Sequence, residues 1–191
     1  MINYYQNNFN EYHKRTFSAD SSSFLSPFVK ALSPGVSILD AGCGSGRDLL
    51  WLKNQGFQVV GFEQSAGLAD LARKHTGCKI IEGDFETYNF TGLKFDAILA
   101  SGSFVHLPHG RLLLTIQNIR SVLDRTGIFY ISLKQGDNFF TDHSNRTFYL
   151  WQDAQLREIF RQLNLDVIHF SNTESVLNSN DMWLGYVLKV K

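Results

Sequence analysis

The segment Asp40-Ala41-Gly42-Cys43-Gly44-Ser45-Gly46 constrains the fold more than any other stretch, because it sets a glycine at every second position directly after an apolar run at 36–41. Glycine alone adopts positive φ without penalty, so such a run marks a tight passage along which the backbone can approach a bulky ligand. A helical pattern follows at about 45–55, with Leu49, Leu50 and Leu52 on its apolar side, and Gly56 is placed to end it. The unit reads as strand, glycine turn and helix, with the helix N-terminal amides aimed at whatever the turn holds.

The same alternation continues downstream. Residues 58–62 form a second apolar run, and Ser65 is a suitable N-cap for a helix that carries Leu68, Leu71 and Ala72 to about 75. Further runs occur at 79–82, 95–100 and 128–133, the last two separated by a helical period at 110–123 with Leu112, Leu113, Ile116, Ile119, Val122 and Leu123. Short apolar runs alternating with helical periods are the pattern of parallel strands joined by crossover helices. A helix at 153–163 and strands at 166–170 and 183–190 close the chain.

Two stretches stand apart. Residues 1–35 read as two short helices, ended by Pro34-Gly35. Residues 134–150 are polar and lack a regular period, and loops of that length in a compact domain usually carry function. The 191 residues fit one domain, divided into a helical cap or lid (1–35), a cofactor-binding core (36–133), and a substrate-side loop with C-terminal strands (134–191).

Composition excludes several function classes. Eighteen basic residues balance eighteen acidic ones, which leaves no net attraction to a phosphate backbone and argues against a nucleic-acid partner. The two cysteines are too few for a disulfide scaffold, so a reducing cytoplasm is the expected location. The first ten residues lack a basic start and an apolar core, and no apolar run is long enough to span a bilayer, so neither a secretory signal nor a membrane partner is expected.

Two cofactor classes use a glycine turn of this kind. Dinucleotide binders favour G-x-G-x-x-G, but here the third glycine comes one residue early, at Gly46, and Arg47 stands where a small residue is needed. That disfavours a nicotinamide-dependent oxidoreductase. The acidic residue followed by x-G-x-G-x-G, in Asp40, Gly42, Gly44 and Gly46, resembles the first motif of the class I S-adenosylmethionine-dependent methyltransferases of small bacterial type, and the resemblance runs in order from about residue 36 to 133.

The resemblance implies a Rossmann-like, doubly wound seven-stranded sheet of order 3-2-1-4-5-7-6 in a three-layer αβα arrangement, the last strand antiparallel. It also implies S-adenosylmethionine as cofactor: the glycine loop against the methionine part, Asp40 near its amino group, and Glu63, followed by Gln64, accepting both ribose hydroxyls. By itself Glu63 is equally an exposed strand-end glutamate. Asp84 and Phe85 match the positions that receive the adenine amino group and cover its ring, although Phe85 also reads as a buried aromatic at a polar turn. Ser101 lies at the carboxyl end of the fourth strand, where open sheets of this type place ligands. Tyr12 and Arg15 are the cofactor candidates in the N-terminal lid, or else part of an amphipathic cap.

The acceptor side is less defined. Ser101-Gly102-Ser103-Phe104 stands where methyltransferases of amide or exocyclic amino nitrogens carry an Asn/Asp-Pro-Pro-Tyr/Phe motif, which disfavours adenine or glutamine as target. Methyl transfer from a sulfonium needs chiefly alignment and exclusion of water, and a base only where the nucleophile keeps its proton. His106 is the candidate base by position, and equally a loop histidine or a ring packed over the cofactor. His106-Leu107-Pro108-His109 does not suit a metal, since Pro108 breaks helical spacing and no carboxylates cluster nearby.

Lys134-Gln135-Gly136 followed by Arg146-Thr147-Phe148-Tyr149-Leu150-Trp151 resembles a run in a subset of small bacterial relatives. Phe104, Arg146, Tyr149 and Trp151 are therefore substrate-side candidates, the alternative being a surface loop pinned by its aromatics. The expected function is methyl transfer to a small molecule by a monomer or homodimer; a module that binds the cofactor without turnover is the alternative.

Overall fold

The computed structural model describes residues 2–177 and 181–191, the side chains of residues 2 and 3 excepted. Three short helices open the chain, α1 (Ile2–Asn7), α2 (Phe9–Thr16) and α3 (Ser22–Lys30), where the sequence pattern gives two. The additional break falls at Asn8, whose side chain donates back to the Tyr4 carbonyl at 2.9 Å and competes with helix continuation.

The expected alternation then follows: β1 (Ser37–Ala41), α4 (Arg47–Asn54), β2 (Gln58–Glu63), α5 (Ala66–Thr76), β3 (Lys79–Glu82), β4 (Phe95–Ser101), α6 (His109–Ile119) and β5 (Leu123–Lys134). Ser65 caps α5 by accepting from the Leu68 amide, and Gly77 ends it in the left-handed conformation. The stretch at 134–150 is not an irregular loop, because it folds into a hairpin of β6 (Phe139–Thr141) and β7 (Thr147–Tyr149). Asn138 and Asn145 take the positive φ values, both 59°, that shape its ends, a conformation asparagine tolerates better than most residues. The chain closes with α7 (Asp153–Gln162), β8 (Leu165–Glu174) and β9 (Met182–Val190).

The main sheet runs β3-β2-β1-β4-β5-β9-β8, with β9 antiparallel to both of its neighbours. Counted without the hairpin, this is the 3-2-1-4-5-7-6 order. Strand alternation sorts the core into two faces. Phe129, Ile131 and Leu133 of β5 pack with Leu112 and Ile116 of α6 and Leu156 and Phe160 of α7, while Ile128 and Tyr130 pack with Leu25 and Phe28 of α3 and Leu52 of α4. No helix among the described residues is long and apolar enough to cross a membrane.

Candidate active site

Two cavities open beside the carboxyl ends of β1, β2, β4 and β5. The smaller, about 180 Å³, is bordered by Gly42, Gly44, Glu63, Gln64, Asp84 and Phe85, which gathers most of the motif residues in one place. The larger, about 660 Å³, lies over the α3 face of β5, β8 and β9. Tyr5, Tyr12, Ser101 and Gly102 line both, so the two spaces meet there.

The glycines of the turn have separate duties. Gly42, Gly44 and Gly46 all have positive φ, at 79°, 57° and 93°. Gly42 and Gly44 border the smaller cavity, whereas Gly46 borders neither. A Cβ on Gly46 would stand 2.7 Å from Thr76 Cγ2 and 3.1 Å from Ala72 Cα, so this glycine lets the turn pack against α5. Of the run, only the first two glycines border a cavity, and the third serves packing.

Asp40 sits behind the turn, buried and bordering neither cavity. Its Oδ2 has no hydrogen-bond partner among the described residues. Burial, and then the neighbouring Asp48 carboxylate, push the Asp40 carboxyl well above the usual range, opposed by Arg47. Ser103, on the wall of the smaller cavity, likewise has an Oγ that is buried and unpaired. Unsatisfied buried acceptors are costly. An acceptor of this kind with two glycines in front of it fits a ligand that carries an ammonium group into the turn.

Glu63, at the end of β2, is buried rather than exposed. Its Oε1 accepts from the Gln64 and Ser65 amides and its Oε2 from the Gly44 amide, each at 2.9 Å. Burial raises its pKa, and these three N–H donors work against that rise. A carboxylate has about four acceptor directions. One remains open, on Oε2, where the resemblance implies an acceptor for each of two ribose hydroxyls. Asp84 receives the Gln64 side-chain amide at 2.9 Å at the rim, and Phe85 is held edge-on by the fully buried Phe104, ring centroids 4.9 Å apart. Phe104 thus supports the wall from behind and borders neither cavity.

At the junction, the Tyr5 hydroxyl lies 2.7 Å from His106 Nε2, and His106 Nδ1 lies 2.6 Å from the Thr147 carbonyl of β7. A carbonyl only accepts, so Nδ1 carries the proton and Nε2 accepts from Tyr5. Burial pushes the imidazole pKa down to about 4, with Arg146 nearby adding to the fall and the Thr147 bond opposing it. Burial also raises the Tyr5 phenol, against the pull of Arg146. Both groups are uncharged near neutrality. Arg146 lies on the wall of the larger cavity, doubly bonded to Asp142 at 2.9 and 2.7 Å and flanked by the Tyr4 and Phe148 rings.

The floor of the larger cavity is set by strand register. Ser101 of β4 pairs with Ser132 of β5, Ser132 with Gly185 of β9, and Gly185 with Ser171 of β8. Four strands thus present small residues in one row, and all four residues line the cavity. Two residues along β5 on either side, on the same face, stand Tyr130 and Lys134, the latter paired in register with Trp183. Lys134 is buried, ion-paired to Asp181 at 2.6 Å, and seated over the Phe148 ring at 4.6 Å.

Among the remaining expected residues, Tyr12 borders both cavities, and Arg15 only the larger. Tyr149 and Trp151 border neither; both rings pack edge-on against His109 and pin the hairpin to α6. Among the described residues no group of three or more His, Cys, Asp or Glu side chains is arranged to hold a metal ion. Sequence reasoning did not single out Ser132, Ser171, Trp183 or Gly185. Their common signal is small size or ring at matching strand positions, which has meaning only once the register is known.

Comparison with known proteins gives the same direction. Residues 38–127 match a family model described as a methyltransferase domain. An uncharacterized methyltransferase of Oceanobacillus iheyensis is 29% identical over 104 residues, 54% of this chain and 47% of the relative, so the match spans about half of that protein's length. In structure, the chain is similar to 1,6-didemethyltoxoflavin-N1-methyltransferase of Burkholderia thailandensis, with TM-score 0.77, 18% identity, and coverage of 100% of this chain and 85% of that one. It is also similar to a TehB-like S-adenosylmethionine-dependent methyltransferase of Corynebacterium glutamicum, with TM-score 0.73, 22% identity and 98% coverage of both chains. Residues 38–127 thus carry a match to a methyltransferase domain, and the chain folded around them has the Rossmann-like fold of solved S-adenosylmethionine-dependent methyltransferases.

Proposed function

We propose that this protein transfers the methyl group of S-adenosylmethionine to a small-molecule acceptor held in the larger cavity. The observation that carries this reading is the shared wall: Tyr5, Tyr12, Ser101 and Gly102 border both spaces, so ligands in the two would meet there. A volume of about 660 Å³ is within the usual range for small-molecule sites. The Burkholderia structure of the same fold was solved with 1,6-didemethyltoxoflavin and S-adenosylhomocysteine bound, which supports an acceptor of that size.

In this reading Gly42 and Gly44 admit the methionine part, Asp40 acts on its amino group from behind the turn through charge rather than as a wall residue, Glu63 takes a ribose hydroxyl on its open acceptor direction, and Gln64, Asp84 and Phe85 border the base. When bound, the cofactor supplies a methyl group on a positively charged sulfur that leaves neutral. The chain's own contribution is alignment and exclusion of water. Tyr5 and Tyr12 close the junction from the lid, and His106 holds the Tyr5 hydroxyl in place. For an acceptor that keeps its proton, the Tyr5 hydroxyl on the shared wall is a hydrogen-bonding partner, but His106, with a pKa of about 4, is not a base near neutrality and serves to orient Tyr5.

Calorimetry with S-adenosylhomocysteine tests the cofactor half. The parent protein should bind, and Glu63→Ala should bind at least about tenfold more weakly. Unchanged affinity in the variant overturns the ribose assignment, and no binding by the parent overturns the whole reading. Incubation with methyl-labelled cofactor and a metabolite extract separates turnover from binding alone, since a module without turnover labels nothing.

A further inference from the structure

We propose that the acceptor is a neutral, planar aromatic or heteroaromatic molecule, lying across the floor of the larger cavity between Tyr130 and Trp183. The proposal rests on the methyltransferase reading and specifies the substrate class.

Shape is the first argument. The cavity floor crosses four neighbouring strands at the level of Ser101, Ser132, Gly185 and Ser171, and adjacent strands lie about 4.8 Å apart, so the floor extends roughly 14 Å. Its bounding rows stand two residues away on each side, about 6.6 Å along the strand. Each row carries a ring, Tyr130 on one side and Trp183 on the other. At Gly185 a Cβ would meet Ser171 Oγ at 2.6 Å and the Tyr130 hydroxyl at 3.2 Å, so the Tyr130 ring leans over this glycine and one end of the floor lies directly beneath it. Gly102 is restricted in the same way by the Trp183 ring, 3.0 Å from where its Cβ would be. A space with a row of small residues beneath it and the Tyr130 and Trp183 rings leaning in from either side suits a flat molecule better than a branched aliphatic one.

Charge is the second argument. Three basic side chains on the wall already have carboxylate partners: Arg47 with Asp48 at 2.7 Å, Lys134 with Asp181 at 2.6 Å, and Arg146 with Asp142 at 2.7 Å. Lys134 and Arg146 also lie over aromatic faces, which takes up part of their positive field. The charges left on the lining, Arg15 and Glu174, are both exposed and of opposite sign. A site built for an anion keeps cationic donors for it, and one built for a cation keeps a carboxylate. Here the basic groups and the carboxylates cancel. The Ser101 hydroxyl remains to meet ring heteroatoms, and Ser171 Oγ, which donates a long 3.5 Å bond to the Gly185 carbonyl, keeps its acceptor lone pairs.

The test titrates the full chain, saturated with S-adenosylhomocysteine, with four probes: 2-quinolone, quinoline-2-carboxylate, N-methylquinolinium and the saturated alcohol decahydronaphthol. Affinities are read by calorimetry and ligand-observed NMR. The neutral flat probe should bind at least about tenfold more tightly than each of the other three. Trp183→Ala should weaken it by about tenfold or more while cofactor affinity is kept. Asp181→Asn, which leaves Lys134 without its carboxylate, should shift the preference toward quinoline-2-carboxylate.

Tighter binding of either charged probe, equal binding of the saturated alcohol, or no engagement of any probe at millimolar concentration in the cofactor-loaded protein would overturn the proposal and leave the methyltransferase reading standing. Failure of S-adenosylhomocysteine itself to bind would remove that reading, and the proposal with it. If Trp183→Ala does not fold, Ser171→Leu, which places a bulky side chain at the far end of the floor, should give the same loss; normal probe binding by a folded Ser171→Leu protein counts against the proposal.

Discussion

Alanine at Gly46 and alanine at Gly44 should fail in different ways, although the two positions are two residues apart in one motif. At Gly46 the backbone holds φ at 93°, where an L-residue pays about 1–2 kcal/mol of strain. The added Cβ also falls 2.7 Å from Thr76 Cγ2 and 3.1 Å from Ala72 Cα, and overpacking of that kind costs roughly 1–3 kcal/mol more. The sum, about 2–5 kcal/mol, should lower the melting temperature by roughly 4–20 °C for a chain of this length. At Gly44, φ is 57°, well inside the left-handed region, and the nearest contact for a Cβ is Tyr12 Cε1 at an ordinary 3.5 Å. Gly44→Ala should therefore cost only about 1 kcal/mol of stability. Its methyl group would, however, stand on the wall of the smaller cavity and should weaken cofactor binding more than Gly46→Ala does. Thermal denaturation of both variants, with S-adenosylhomocysteine calorimetry on each at a temperature where it is folded, decides the matter. A Gly46→Ala protein that melts within about 2 °C of the parent, or that loses more cofactor affinity than Gly44→Ala, would refute the division of labour.

Three further outcomes follow from the buried charges. The low pKa of His106, about 4 against 6.5 unfolded, means that its contribution to stability is fully present above 6.5 and is lost as pH falls through 4, a change of about 3 kcal/mol; NMR of the imidazole should show neutral, Nδ1-protonated His106 down to about pH 5, and half-protonation near 6.5 counts against it. Asp40 has the opposite sign, because its raised carboxyl favours the fold below the unfolded value of 3.8 and loses that advantage as pH rises through the folded value; cofactor affinity should accordingly grow with pH across that window, and Asp40→Asn should flatten the dependence in pH-resolved calorimetry. Asp181→Ala, which leaves the buried Lys134 ammonium without its carboxylate, should cost about 1–3 kcal/mol in chemical denaturation, less than a fully buried pair because Asp181 is 25% exposed; a change under about 0.5 kcal/mol would show that the rings alone hold the lysine.

The parallel strands and their crossover helices were legible because apolar runs and helical periods alternate with little interruption from residue 36 to 133. The hairpin was not, since its strands have three residues each and its bends use asparagines at positive φ rather than glycine or proline. Strand β8 reaches Glu174 although its apolar pattern stops at Phe170, because register with β9 continues through polar residues. The smaller cavity could be outlined from contiguous motifs. The larger one could not, because Ser101, Ser132, Ser171 and Gly185 become neighbours only through the pairing of four strands. Trp151 shows the reverse case: an aromatic beside a promising arginine reads as a ligand contact, yet it is buried in the packing of the hairpin.

The small-residue floor of the larger cavity also bears on how such a protein diversifies. Ser171 and Gly185 lie on the last two strands, outside the 38–127 segment that matches the methyltransferase domain, whereas the motif residues of the smaller cavity from Gly42 to Phe85 lie inside it. Changes at separated positions combine nearly independently when they share no partners. Substitutions along those two strands, at positions other than the crowded Gly185, would therefore reshape the larger cavity while the matched segment that frames the smaller one is left unchanged.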